Sequence, residues 1–116
     1  MSVLLHVKMD VQVGDATLDE ARKRAFPDPI AGAKRIQQLP GLQWKIWIQD
    51  SERRQTGGIY LFADRSAAEQ YAHRCVRTLQ DLPGISNVTA QLWTISEEQS
   101  RITSGPIDAP LLKDLL

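Results

Sequence analysis

Apolar and polar residues alternate strictly at the start of the chain. From Ser2 to Val13 every second residue is apolar, and these positions are Val3, Leu5, Val7, Met9, Val11 and Val13. Successive side chains of a strand point to opposite faces, so a period of two predicts a β-strand with one buried face. We therefore expect a first strand over residues 2–13.

Two further apolar runs predict a long-looped antiparallel hairpin. Residues 42–49 alternate, with Leu42, Trp44, Ile46 and Ile48 expected on one face and Gln43, Lys45, Trp47 and Gln49 on the other. A polar run follows, then Gly57-Gly58 and the β-prone residues 59–63. The glycine pair indicates either turn punctuation or close backbone approach. Residues 85–96 alternate again and predict a fourth strand.

Helical spacing fills the gaps between these strands. Thr17 and Glu20 fit a capping box that opens a first helix, which the prolines at 27 and 29 must interrupt. Asp28-Pro29 then reads as the cap of a second helical piece. Ser66 and Glu69 suggest another capping box, opening a helix whose apolar stripe recurs every three or four residues. That stripe is Ala68, Tyr71, Ala72, Cys75, Leu79 and Leu82.

The order strand, helix, strand, strand, helix, strand is the ferredoxin-like pattern, an α+β fold. Both helices should cover one face of a four-stranded antiparallel sheet. The strands carry apolar residues on both faces, so a second copy is expected to cover the other face in a homodimer. We assign residues 1–97 to this domain and residues 98–116 to an extension that docks on the domain or on the partner subunit.

Composition narrows the function classes. The 116 residues contain 14 Lys plus Arg and 14 Asp plus Glu, and the lack of a basic excess argues against nucleic-acid binding. One cysteine excludes an intrachain disulfide framework. The N-terminal apolar run is too short for a signal peptide, and no run approaches membrane-spanning length. We expect a cytoplasmic protein that does not bind membranes.

Two motifs also carry a family resemblance. Gly41 to Trp47 reads GLQWKIW, and Gly57 to Phe62 reads GGIYLF before a helix that contains Tyr71. This pairing resembles the YdhR-type monooxygenase family over residues 3–95. The resemblance implies a dimeric α+β barrel, grouped with cofactor-independent antibiotic-biosynthesis monooxygenases. Cys75 departs from the family, which often has histidine there, and the proline break at 27–29 looks longer than usual.

Aromatic side chains of the strands are the candidate substrate-binding residues. An apolar pocket with a few N–H and O–H donors suits an aromatic substrate. The alternative is that the same rings fill the core and the dimer interface. The residues concerned are Trp44, Trp47, Tyr60, Phe62 and Trp93.

Lys45, His6 and His73 are the candidate catalytic residues. The Lys45 ammonium is placed to stabilise a phenolate or enolate, although it also suits a surface lysine or an ion pair across the dimer. His6 is either a general base or a hydrogen-bonded structural histidine. His73 reaches either a cleft, where related folds also allow haem, or plain solvent. Cys75 lies on the apolar stripe and reads as an inert buried thiol rather than a nucleophile.

The sequence contains no metal-ligand spacing, phosphate-binding loop or serine nucleophile motif. The aromatic hairpin with Lys45, together with the family resemblance, implies a monooxygenase that oxidises a small phenolic or polyketide-like aromatic compound with molecular oxygen and without a cofactor. The alternatives are a non-catalytic dimeric module that binds a ligand in an aromatic-lined cavity, and an interaction protein whose sheet face only makes the dimer.

Overall fold

The computed structural model describes all residues, 1–116, and orders them as four strands and four α-helices with a short 3₁₀ helix at the end. The elements are β1 (Val3–Val11), α1 (Leu18–Ala25), α2 (Pro29–Ile36), β2 (Leu42–Asp50), β3 (Gln55–Phe62), α3 (Arg65–Gln80), β4 (Ile85–Thr94), α4 (Glu97–Ile102) and the 3₁₀ helix Leu112–Leu115.

The strands form one antiparallel sheet in the order β2-β3-β1-β4. The two central strands, β1 and β3, are therefore flanked by the edge strands β2 and β4. This arrangement confirms the predicted ferredoxin-like fold. No helix is both long enough and apolar enough to cross a membrane.

The core lies between one face of the sheet and the helices α1 and α3. The alternating residues of β1 from Val3 to Val11 are buried on this face, as the sequence pattern predicts. They pack with Leu18 and Ala21 of α1 and with Ala68 and Cys75 of α3. We call this the helix face of the sheet, and the opposite side the open face.

A β-bulge at Gln43 changes the faces of β2. Leu42 pairs with Phe62, but Trp44 rather than Gln43 pairs with Leu61, so β2 contains one extra residue at this point. The expectation that Leu42 and Trp44 share a face is therefore wrong. Leu42 lies on the helix face together with Lys45 and Trp47, whereas Trp44, Ile46 and Ile48 lie on the open face.

Gly57 and Gly58 lie inside β3, not in the turn before it. A Cβ atom on Gly57 would come within 2.0 Å of the Val7 carbonyl oxygen on the neighbouring strand. Close backbone approach therefore explains this glycine, which is one of the two interpretations of the pair.

The helix caps are partly those predicted. Thr17 and Glu20 form the expected capping box, and the Asp28 carboxylate accepts a hydrogen bond from the Ala31 N–H. The capping box predicted at Ser66 is wrong. Helix α3 begins two residues earlier, at Arg65, and the Asp64 carboxylate accepts from the Ala67 N–H at 2.8 Å.

The C-terminal segment runs from the open face around the edge strand β2. Ile107 is buried against Leu61 and Ile95 on the open face. Further along, Leu112 packs against the core on the helix face, and the 3₁₀ helix contacts β2. The segment thus covers the outer edge of the sheet at this end.

Candidate active site

Lys45 lies on the helix face in a setting made of aromatic rings. Its Nζ atom is 3.2 Å from the centroid of the Trp47 ring and 4.5 Å from that of the Tyr60 ring. No carboxylate lies within 4.0 Å of it. An ammonium over aromatic faces is held by cation–π attraction alone, which leaves its charge free to attract an anion.

Gly58 provides the space that Lys45 occupies. A Cβ atom at this position would lie 2.5 Å from Lys45 Cε and 3.3 Å from Lys45 Nζ. Such an approach requires the lysine side chain to move. The second glycine of the pair is therefore explained by the lysine on the neighbouring strand.

Two tyrosines complete the cluster. The hydroxyl groups of Tyr60 on β3 and Tyr71 on α3 are 3.0 Å apart, and their ring centroids are 5.1 Å apart. Burial raises the pKa of both phenols well above the usual value, so both remain protonated at neutral pH. In this pair one hydroxyl donates to the other, and the second O–H can donate to the Cys75 thiol or, in its place, to a bound acceptor.

Burial has the opposite effect on the lysine. It lowers the pKa of Lys45 to about 8, since desolvation disfavours the charged form, and the nearby Cys75 thiol opposes this shift. Burial raises the pKa of the Cys75 thiol, with a hydrogen bond from Tyr71 acting against that rise. Cys75 is the free, buried thiol that the sequence predicts.

The remaining candidate residues lie away from Lys45. Trp44, Trp93 and His6 lie on the open face, on the far side of the sheet from Lys45. Phe62 is fully buried in the core, where its ring lies 6.0 Å from that of Tyr60. His73 is exposed on α3. Of the predicted residues, only Lys45, Trp47 and Tyr60 come together, with Phe62 behind them.

A cavity of about 300 Å³ lies on the open face beside Trp44. Leu4, Leu61, Ile95 and Ile107 supply apolar surface, and the rest of the lining comes from the end of β4 and the segment after it, including several serine and threonine residues. The Trp44 N–H does not point to a free acceptor site, because it donates to the Pro106 carbonyl at 2.9 Å. No group of three or more His, Cys, Asp or Glu side chains is placed to hold a metal ion.

The sequence assigns no role in the site to three features of this cluster. It places Tyr71 in the apolar stripe of α3, although a tyrosine in such a stripe needs a hydrogen-bond partner for its hydroxyl. The space at Gly58 and the bulge at Gln43 depend on strand register. Nothing in the local pattern reveals that register.

Comparison with known proteins gives one family and a set of structural relatives. The family model described as "Putative mono-oxygenase ydhR" matches residues 4–106, which extends past β4 into the C-terminal segment. A mutant of SnoaB, a cofactor-independent oxygenase from Streptomyces nogalater, has a similar structure with a TM-score of 0.55 and 14% identity. This alignment covers 83% of the present chain and 94% of SnoaB.

A putative antibiotic biosynthesis monooxygenase from Chloroflexus aurantiacus aligns with a TM-score of 0.42 and 14% identity. The alignment covers 84% of this chain and 97% of that one. No curated protein matches the chain. The structural similarity to SnoaB supports the fold, and the match to the family model is the evidence for the family.

Proposed function

Because this chain belongs to the ydhR mono-oxygenase family, we propose that it is a monooxygenase that oxidises a small phenolic or polyketide-like aromatic compound without a cofactor. The observation that carries the proposal is the Lys45 ammonium, held among aromatic rings with no carboxylate to neutralise it. Such a cation favours the anionic form of a bound phenol or enol.

The neighbouring groups suit the same substrate. Trp47 is half exposed and offers a flat surface against which an aromatic ring can stack. The protonated hydroxyls of Tyr60 and Tyr71 supply a donor for developing negative charge on oxygen. Lys45, Trp47 and the tyrosine pair thus bind the anion, orient the ring and exclude water on one side.

In the proposed reaction the substrate supplies the electrons. Loss of a proton gives a phenolate or enolate, and this carbanion-like species is oxidised while dioxygen is reduced. One oxygen atom forms a C–O bond with the substrate. The other leaves as water with two substrate hydrogens, so that CH₂ and O₂ become C=O and H₂O.

Oxygen uptake with a panel of hydroquinones and anthrones tests this proposal. Replacing Lys45 by Met keeps most of the length of the unbranched side chain and removes its charge. We expect turnover to fall by on the order of 10² or more, because an interaction made with developing charge is lost. The exposed Lys34 on α2 provides the matched control, Lys34→Met. An unchanged rate in Lys45→Met would remove Lys45 from the mechanism.

A non-catalytic binding module is the second candidate, and the cavity beside Trp44 favours it. That cavity is lined by apolar side chains together with serine and threonine residues, so it is suited to a small, mainly apolar ligand. Quenching of tryptophan fluorescence by the same compounds, with no oxygen consumed by the parent protein, would support the module over the enzyme.

We further propose that two copies associate through their open faces. Ile46 is 53% exposed and Trp93 is 50% exposed on this face, where Ile48 and Ile59 are also only partly covered. Contiguous apolar surface of this kind typically marks an interface. Zero net charge on the chain does little to oppose self-association.

A further inference from the structure

The bulge in β2 determines which side chain reaches the helix face. With regular pairing from Leu42 onwards, Trp44 would lie opposite Tyr60, and Lys45 would lie opposite Ile59 on the open face. The observed register places Lys45 opposite Tyr60 and Trp44 opposite Leu61. A shift of one residue therefore exchanges the two side chains between the faces.

Gln43, the extra residue of the bulge, is almost fully buried and uses both ends of its amide. The Ser2 hydroxyl donates to its Oε1 atom at 2.6 Å, and its Nε2 atom donates to the Ala109 carbonyl oxygen. A buried amide with unmet hydrogen bonds costs free energy, so these two partners stabilise the bulged conformation over the regular one.

The C-terminal segment also holds the next residue. Trp44 Nε1 donates to the Pro106 carbonyl at 2.9 Å, so residues 106–109 contact two consecutive residues of β2 immediately before Lys45. These contacts lie on the strand edge and the open face. They bear on Lys45 only through the backbone register.

We propose that Gln43 is a positioning residue, which holds the bulge through Ser2 and Ala109 and thereby turns Lys45 towards Tyr60 and Trp47. Its effect on turnover rests on the proposed function, whereas its effect on the location of Lys45 does not. Bulges next to active sites commonly re-aim a side chain in this way.

The pKa of Lys45 reports where its side chain lies. A glutamine that only stabilised the fold would not change this pKa when replaced. The chain has five lysines, and the Lys45 signal in an NMR pH titration is identified by its loss in Lys45→Met. The groups that face Lys45 are Trp47 on its own strand, Tyr60 on β3, and Tyr71 and Cys75 on α3. In Gln43→Met, which removes both hydrogen bonds, we expect the pKa of Lys45 to return from about 8 towards 10.5.

Two variants control for loss of folding. Gln43→Glu keeps the acceptor for Ser2 but loses the N–H donor to Ala109, and Ser2→Ala leaves only the Ala109 contact. Ser2→Ala should move the Lys45 pKa in the same direction by less than Gln43→Met. In Gln43→Glu the new carboxylate raises the Lys45 pKa in either register, so only an unchanged pKa in that variant is decisive. The same glutamine-to-methionine change at the exposed Gln80 should leave it unchanged.

The outcomes separate the two proposals. A shifted Lys45 pKa in the folded Gln43→Met protein, together with about 10²-fold slower oxygen uptake, supports positioning for catalysis. A shifted pKa in a protein that consumes no oxygen with any substrate keeps the positioning role and overturns the enzyme. An unchanged Lys45 pKa in the folded Gln43→Met or Gln43→Glu protein overturns the role of Gln43. If neither Gln43 variant folds, an unchanged pKa in Ser2→Ala overturns it.

Discussion

The groups around Lys45 carry no charge at neutral pH, and they lower its pKa because they exclude water. Trp47 and Tyr60 present their ring faces to the ammonium, and Tyr71 and Cys75 both remain protonated at neutral pH. Without a carboxylate to compensate, burial lowers the lysine pKa into the range where small pH changes alter its charge. The charge of this candidate site therefore depends on pH near neutrality.

The pH dependence of anion binding follows from this pKa. Lys45 is protonated below about pH 8 and neutral above it. Affinity for an aromatic ligand that is anionic throughout the range should be full at pH 7 and about tenfold weaker at pH 9, where roughly one lysine in ten is charged. Tryptophan fluorescence quenching measures the affinity. Lys45→Met should show weak binding with no such pH step, and a parent protein with equal affinity at both pH values would contradict the assignment.

Substitution of Gly58 by alanine tests the space that the lysine occupies. The new Cβ atom would overlap Lys45 Cε at 2.5 Å and should displace the side chain from Tyr60. We expect affinity for the same anionic ligand to fall by about tenfold or more, since a charge-assisted contact is lost. Gly32→Ala is the control, because its Cβ atom meets only Arg35 at 3.7 Å. Equal affinity in Gly58→Ala and the parent protein would show that Lys45 does not need this position.

At the scale of single elements, periodicity predicts the fold well because the strands obey it. Strands β1, β2 and β4 follow from alternation, β3 follows from its β-prone run, and the interrupted first helical region follows from the Thr17 capping box and the prolines. The faces of β2 do not follow, because the bulge depends on contacts between Gln43 and residues 41 and 66 positions away. For the same reason, the sequence pattern does not predict that Lys45 lies opposite Tyr60.

The short C-terminal elements escape sequence analysis for a different reason. Helix α4 has six residues, contains no buried side chain, and has no side-chain hydrogen bond at its cap. The 3₁₀ helix has only four residues. Neither is long enough to show a period, so their place is determined by tertiary contacts such as Ile107 on Leu61.

The start of α3 provides a test of the corrected cap. Asp64 accepts a hydrogen bond from the Ala67 N–H at 2.8 Å. Ser66 lies inside the first turn, and its hydroxyl accepts only a long hydrogen bond, 3.5 Å, from Gln70 Nε2. Asp64→Ala should lower the free energy of unfolding by about 1 kcal/mol, within the usual range for lost N-caps. Ser66→Ala should change it by less than about 0.5 kcal/mol. Urea denaturation measures both values, and a larger loss in Ser66→Ala would restore the cap that the sequence suggests.

The candidate site and the proposed dimer interface lie on opposite faces of the sheet. Lys45 and the tyrosine pair lie under α3 on the helix face, while His6 and Trp93 lie on the open face. A partner subunit on the open face would not meet Lys45, so an ion pair across such a dimer does not explain this lysine. The cavity beside Trp44 lies on the open face and is separated by the sheet from the Lys45 site.

A charge placed on the open face tests the association of subunits. Ile46 is 53% exposed and pairs with Ile59 in the sheet, and a two-fold interface would bring both copies of residue 46 into it. Ile46→Glu should therefore bury two carboxylates without partners and yield folded monomers at micromolar concentration, as sedimentation velocity would measure. Ile30→Glu alters a more exposed isoleucine on α2, 66% exposed, and should leave the dimer intact. Because the sheet shields the Lys45 site from the open face, the monomer should retain the lowered pKa of Lys45. A parent protein that sediments as a folded monomer at the same concentration would overturn the proposed dimer while leaving the site within each subunit untouched.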